Sequence, residues 1–383
     1  MDEKGMMAEE VLKALEEKLK ADLTYRSGRI LGSMCTRPHP LARRVFAKYL
    51  EKNLGDPGLF KGTVEIEREA VAMLASLLSK PDAAGMIVSG GSEANILALW
   101  SARDRIGKRG VIVPASAHAS MDKAASMLGL KLVKAPINAE GEVDADAVRK
   151  LVTEDTAAIV GIAGTTDLGA IDPIPELSEI AHERGLHLHV DAAFGGLVIP
   201  FLKELGHRLP DFDFKLPGVS SITVDPHKMG MAPIPAGGLL FREASYLKPL
   251  GFNLPYLSGG PATQFTVTGT RPGASAIAVW ALFKHLGREG YRRVVARCME
   301  LTMELAKGVE RIPKARLVRR PVMNVVGIYI DGLSAEEAAL RLKEAGWAVS
   351  AVRGFIRVVV MPHVKRSHIE AFLRDLRKIA LAS

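Results

Sequence analysis

The chain has 383 residues, 48% of them hydrophobic and 25% charged, an ordinary globular composition that excludes a disordered or fibrous protein. Its two cysteines, Cys35 and Cys298, exclude a disulfide scaffold and a Cys-rich zinc module, so no metal is expected, and they point to a reducing, cytoplasmic compartment. The net charge of +8 is spread along the chain, and its densest run, residues 311–320, carries no aromatic residue to stack on bases, so no nucleic-acid partner is expected.

The N-terminal residues MDEKGMMAEE are charged and helix-like, unlike a signal peptide, and no apolar run is long enough to span a bilayer. One Gln and five Asn among many charged residues point to a heat-adapted protein. Residues 8–20 read as an amphipathic helix, and 39–54 and 64–79 as further helices separated by the turn-rich GDPGLFKG. From about Pro81 short apolar runs alternate with helical segments: MIV (86–88), VIV (111–113), KLVKA (131–135), AAIVGI (157–162), LHLHV (186–190), SITV (221–224) and GGLLF (237–241). Such runs suit strands of a parallel sheet buried on both faces, with crossover helices between them. The pattern predicts a doubly wound α/β domain, whose ligands sit at the carboxyl ends of the strands. Beyond about residue 285 a long helix (288–310), a strand (325–330), a helix (334–345), a strand (355–360) and a helix (367–380) predict a smaller α/β unit. The expected division is therefore 1–60, an N-terminal helical segment; 61–285, the large α/β domain; and 286–383, the small C-terminal domain.

Four motifs follow predicted strands. Residues 89–95 (SGGSEAN) open a helix, where glycines and free N–H groups suit an anion, although a plain turn capped by Ser92 accounts for them equally. Gly164-Thr165-Thr166 offers two hydroxyls at a strand end, or simply a β-turn. LHLHV runs into Asp191 and then into small residues; a carboxylate at that depth needs a partner, whether a protonated ring nitrogen, a basic side chain or a metal. SITV runs into Asp225-Pro226-His227-Lys228. A lysine at a buried strand end is expected to lose its proton readily through desolvation and to act as a nucleophile; an exposed loop lysine is the alternative. Taken together, an anion cradle, a strand-end aspartate and a strand-end lysine 37 residues later suit pyridoxal phosphate, which needs a cradle for its phosphate, a carboxylate for its pyridine nitrogen and an amine for its aldehyde. His118, just after VIV, could lie flat against the ring.

With these motifs in hand, the chain resembles the group II pyridoxal-phosphate-dependent amino-acid decarboxylases, nearest to the archaeal L-tyrosine/L-aspartate decarboxylase family and more distantly to sphingosine-phosphate lyases. SMCTRPHP (33–40), NLGDP (53–57), SGGSEAN, HVDAAFGG (189–196), DPHK, TGTRPG (268–273) and RVVVMPH (357–363) carry the likeness across nearly the whole chain. The resemblance implies fold type I of the pyridoxal-phosphate-dependent transferases, with a mostly parallel large domain, a small C-terminal domain and a homodimer. It implies that Lys228 bonds the cofactor aldehyde, Asp191 keeps the ring nitrogen protonated, His118 stacks on the ring with Ala193 behind it, and Gly91, Ser92, Thr165 and His227 contribute to the cofactor site. Asp225 stands where related decarboxylases often have Asn. Tyr256, in the Gly/Pro-rich stretch 251–264, is the candidate proton donor to Cα. Arg357 is the candidate for bidentate binding of a substrate carboxylate, with His39 and Arg271 as further candidates. The reaction implied is decarboxylation of L-aspartate to β-alanine, a precursor of coenzyme A; L-tyrosine and then L-glutamate are the alternatives. A cysteine desulfurase needs a loop cysteine after the lysine, and Cys298, the one available, falls in a helical pattern. A phosphate-ester lyase is a more distant alternative.

Overall fold

The computed structural model describes residue 1 and residues 3–382. Helices α1 (Ala8–Leu19), α2 (Pro40–Lys48) and α3 (Lys61–Leu77) lead into β1 (Ala84–Val88), α4 (Gly91–Ile106), β2 (Gly110–Pro114), α5 (Ser120–Leu128), β3 (Lys131–Ala135), α6 (Ala145–Leu151), β4 (Thr156–Ile162), α7 (Ile174–Arg184), β5 (His187–Asp191), α8 (Ile199–Glu204), β6 (Val219–Val224) and β7 (Gly237–Phe241). The seven strands form one sheet in the order β1-β7-β6-β5-β4-β2-β3. Each grows from one of the apolar runs. β4, β5 and β6 are buried along their whole length, as strands covered on both faces must be. β3 is one of the two edge strands, and its Lys131 and Lys134 blunt that edge against further pairing. The sheet is parallel apart from β7, which runs antiparallel between β1 and β6. The carboxyl ends of β1, β2, β4, β5 and β6 consequently share one rim of the sheet.

β8 (Phe252–Leu254) and β9 (Ala262–Gln264) form a short hairpin within the Gly/Pro-rich stretch, followed by α9 (Gly273–Val309). The sequence pattern starts this last helix at 288. The structure starts it at Gly273 and breaks it at Gly287 (φ 56°, ψ −172°), a conformation glycine adopts without a Cβ penalty. The first half packs on α2 and α3, and the second runs into the small unit. α2 ends at Lys48, short of the expected 54, because the following turn is pinned elsewhere: Leu54 N–H donates to the Arg271 carbonyl (2.9 Å) and Gly55 N–H to Asn53 Oδ1 (2.7 Å).

The small unit comprises β10 (Ala315–Leu317), β11 (Val325–Ile330), α10 (Ala335–Glu344), β12 (Ser350–Val352), β13 (Phe355–Val359) and α11 (Arg366–Leu381), with an antiparallel sheet ordered β10-β11-β13-β12. Its core, including Leu305, Ile328, Trp347, Val358 and Phe372, also takes in Leu31 from the N-terminal segment. Leu31 N–H donates to the Ala348 carbonyl (2.8 Å), and Val359 N–H donates to the Leu31 carbonyl. Residues 1–60 are therefore not a segment apart; a stretch around Leu31 belongs to the small unit. Helix α1, by contrast, buries no residue, and Val11, Leu12, Leu15 and Leu19 form an exposed apolar stripe.

Candidate active site

The strand ends surround a cavity of about 310 Å³, lined by the glycine turn before α4, His118, Gly164, Thr166, Asp191, Ala193, Asp225, His227 and Lys228. The turn after β1 is held by Glu93, which accepts the N–H of Ser89 at one oxygen (2.7 Å) and that of Val267 at the other (3.2 Å). The first N–H groups of α4 have no carbonyl within their own helix and carry the positive end of its dipole, the setting a phosphate requires. A Cβ on Gly91 would stand 2.8 Å from Asp225 Oδ2 and 3.3 Å from the Ala193 Cβ, so glycine keeps this cradle open.

β5 carries Asp191 to the rim. Its Oδ1 accepts the N–H of Ala193 (3.1 Å) and its Oδ2 accepts from Asn95 Nδ2 (2.8 Å). The turn after β6 carries Lys228, whose Nζ lies 3.1 Å from Asp225 Oδ2; His227 Nδ1–H donates to the Ala236 carbonyl (2.6 Å). Asp225 Oδ1 is buried without a partner. The sequence reading expected burial to lower the Lys228 pKa. Burial does pull it down, but Asp225 and then Asp191 outweigh that pull and hold the ammonium above its ordinary value. The free protein therefore keeps Lys228 protonated.

The remaining candidates divide. Thr165 is not on the cavity wall; its Oγ1 accepts the N–H of Ala170 (3.0 Å) and closes the turn that presents Gly164 and Thr166. Arg357 does not line the cavity either; it stands behind that turn: Nη1 donates to the Thr166 carbonyl (2.8 Å), Nη2 to the Gly32 carbonyl (2.6 Å) and Ser350 Oγ (3.1 Å), and Nε is buried without a partner. With three donors engaged on Nη1 and Nη2, the simple bidentate fork expected from sequence gives way to an arginine whose Nε is left without a partner. Arg271 is not free to bind substrate. It pairs with Glu67 (2.7 Å) and donates to the Ile87 carbonyl (2.8 Å), bracing α3 against β1. His39 caps α2, its Nδ1 accepting the N–H of Leu41 (3.2 Å), and is not on the cavity wall. Tyr256 is 76% exposed on the β8–β9 loop and does not line this chain's cavity. Cys298 is buried in α9, with burial pushing its thiol up to about 12, which removes the nucleophile a desulfurase needs.

Sequence reasoning missed Asn95. Its Nδ2 donates to both Asp191 and Ser120 Oγ (2.9 Å), and its Oδ1 accepts from Thr223 Oγ1 (2.8 Å). Ser120 in turn bonds His118 Nδ1 (3.0 Å), so a single amide orients both the carboxylate and the imidazole. The available signal was the alternation His187-x-His189-x-Asp191 with Ser221-x-Thr223 on the next strand, which puts polar side chains on one face of the sheet.

These residues fit pyridoxal phosphate: a glycine cradle at a helix N-terminus, a hydrogen-bonded carboxylate, an imidazole on the wall and a buried amine converge on one cavity. Fold and site together define a fold type I pyridoxal-phosphate enzyme. Residues 61–329 match the pyridoxal-dependent decarboxylase conserved domain, and the chain belongs to that family. It is 57% identical over 380 residues to the L-aspartate decarboxylase of Thermococcus kodakarensis, covering 99% of this chain and 98% of that one. It is 55% identical over 363 residues to the probable L-tyrosine/L-aspartate decarboxylase of Methanothermobacter thermautotrophicus, covering 94% and 99%. Among solved structures, a sphingosine-1-phosphate lyase from Burkholderia pseudomallei superposes with a TM-score of 0.92 at 31% identity, covering all of this chain and 92% of the other.

Proposed function

We propose that this enzyme decarboxylates L-aspartate to β-alanine, serving coenzyme A synthesis in the cytoplasm, and that it works as a homodimer. The observation that carries the choice of substrate is Arg357: a guanidinium beside the cavity wall with a buried, unpartnered Nε–H calls for an anionic acceptor, and the carboxylate that survives in β-alanine would supply one. The name of the Thermococcus kodakarensis relative supports the same reading. Pyridoxal phosphate, when bound, supplies an electron sink for the pair released from the Cα–carboxylate bond. Gly91 and Ser92 would hold its phosphate, and Lys228 would supply the amine for its aldehyde. Asp191 would face the ring nitrogen and favour its protonated form, and His118 and Ala193 would pack on the ring. Asp225, 3.1 Å from Nζ, would hold the free ammonium, with His227 Nε2 3.7 Å from the same carboxylate oxygen.

Loss of carbon dioxide leaves Cα needing a proton, and Tyr256 is assigned as its donor. Tyr256 is 76% exposed on its own chain, and its assignment here is to the cavity of a partner across a dimer interface. The uncovered apolar stripe of α1 supports the same assembly, because each such side chain gains roughly 1.5–3 kcal/mol on burial. Surface ion-pair networks, such as Arg366 with Glu300 and Glu304, support adaptation to heat. No helix among the described residues is long and apolar enough to cross a membrane.

Carbon dioxide release is compared for aspartate, glutamate and tyrosine with the wild type, Lys228→Ala and Arg357→Met. The expected result is turnover of aspartate, lost with Lys228→Ala and raised in KM with Arg357→Met. Faster turnover of tyrosine, unaffected by Arg357→Met, would overturn the choice of substrate. Light scattering reads the dimer, and a monomer with full activity would remove the role given to Tyr256.

A further inference from the structure

Asp191 is the end of a longer line of hydrogen bonds. Asn95 Oδ1 lies 2.9 Å from His189 Nε2, and His189 Nδ1 lies 2.8 Å from Ser221 Oγ. Ser221 Oγ lies 2.7 Å from His187 Nε2, and His187 Nδ1 lies 3.2 Å from Arg105 Nη2. Asn95, His187, His189 and Ser221 are at most 1% exposed, whereas Arg105 is exposed at the far end of α4 with its guanidinium 4.0 Å over the Tyr246 ring. Asn95 and Arg105 are ten residues apart on one helix, so the line spans roughly 15 Å.

The direction of every link is fixed from both ends. A carboxylate only accepts, so Asn95 must turn Nδ2 to Asp191 and Oδ1 to His189. His189 must then carry its proton on Nε2, leaving Nδ1 to accept the Ser221 hydroxyl. Ser221, having donated its one proton, accepts from His187 Nε2–H. That leaves His187 Nδ1 bare, facing a guanidinium that only donates. The assignment begun at the aspartate and the one begun at the arginine meet without conflict, and every donor is directed toward Asp191. Burial holds both imidazoles neutral, His187 well below its ordinary value and His189 down to about 4.

We propose that Arg105, His187, Ser221, His189 and Asn95 form one polarised hydrogen-bond chain that positions the Asp191 carboxylate for the cofactor ring nitrogen. The five are positioning residues: none but Asn95 reaches the cavity wall, and each acts through the next. Aligned links polarise one another, so a change at the surface is felt, attenuated, at the carboxylate. The proposal rests on the role assigned to Asp191 in the preceding section.

The test begins on the cofactor-free protein labelled with nitrogen-15 histidine, with the two rings assigned from His187→Gln and His189→Gln. At neutral pH both rings are expected as neutral Nε2–H tautomers; an Nδ1–H tautomer or an imidazolium at either ring would overturn the chain. Ser221→Ala is expected to shift both sets of ring signals and, in the loaded enzyme, to lower kcat about tenfold with KM unchanged. Arg105→Met, at an exposed position that leaves the fold intact, is expected to shift the His187 signals and lower kcat by less, and Arg105→Lys to restore both. Ring signals as expected but kcat and the cofactor's visible band unchanged in Ser221→Ala and Arg105→Met would overturn the function of the chain. Full activity in Asp191→Ala would instead remove the role of Asp191, a separate failure.

Discussion

Asp225→Asn isolates the charge that holds Lys228 protonated. Asn keeps the shape of the side chain and one oxygen toward Nζ, and removes only the negative charge. At 3.1 Å the Coulomb attraction is about 5 kcal/mol for an effective dielectric of 20. Lys228 keeps 20% side-chain exposure and Asp191 remains nearby, so the smaller value for a charged hydrogen bond, about 1.5–3 kcal/mol, is the appropriate one. Below the ordinary lysine value the neutral amine, the form that attacks an aldehyde, becomes about 10- to 150-fold more abundant in the variant. The sign follows from the raised pKa: in the wild type the free amine is scarce at neutral pH and grows as pH rises, and the variant reaches any given share at lower pH. The same pair stabilises the folded protein below the ordinary lysine value and stops doing so as pH climbs past the raised one. Cofactor-free protein is mixed with pyridoxal phosphate in a stopped-flow instrument, and the visible band is followed from about pH 6 to about pH 10. Uptake should quicken with pH in the wild type and be faster in Asp225→Asn at each pH in that range. A wild-type rate independent of pH, or an Asn variant no faster than wild type, would refute the reasoning.

Gly91→Ala puts a Cβ 2.8 Å from Asp225 Oδ2 and forces that carboxylate to shift, so cofactor affinity measured by equilibrium dialysis should fall sharply and the melting temperature of the cofactor-free protein should drop with it. Arg271→Met strands Glu67 without its cation; denaturant unfolding should show a loss of about 3–5 kcal/mol, with KM unchanged in the protein that remains folded. Leu31→Ala should cost about 2–5 kcal/mol, and hydrogen exchange should locate the loosening in β12 and β13 rather than in the seven-stranded sheet.

The seven strands were legible because each is a short apolar run closed by small or charged residues, and burial on both faces leaves little choice of side chain. The reversed direction of β7 was not: GGLLF reads the same either way, and the connection that sets its direction winds through the irregular residues 225–236. β10 and β12, three residues each, are too short to show a period. Leu31 joins the small unit through partners more than 300 positions away, a pairing no local pattern can announce.

The same division runs through the site. Lys228, Asp191 and Gly91 could be singled out because a strand end or a helix start fixes where each must lie, whatever surrounds it. Asn95 could not, because its meaning depends on the register that aligns His189 with Ser221 and Asp191 with Thr223. The arginines show the limit most sharply. In sequence Arg357, which opens the run RVVVM, is the first candidate for a carboxylate and Arg271 a further one, but nothing local says how each is paired. What separates them is how completely the protein satisfies each guanidinium. Arg271 has a carboxylate of its own in Glu67 and needs nothing further. Arg357 has only neutral acceptors, Thr166, Gly32 and Ser350, and an Nε–H left over in a buried place. Asp167 acts on it only through space, and a buried cation with no carboxylate in hydrogen-bond contact is costly unless something anionic completes it. The incomplete arginine, rather than the well-paired one, is therefore the one to which a carboxylate substrate adds stability.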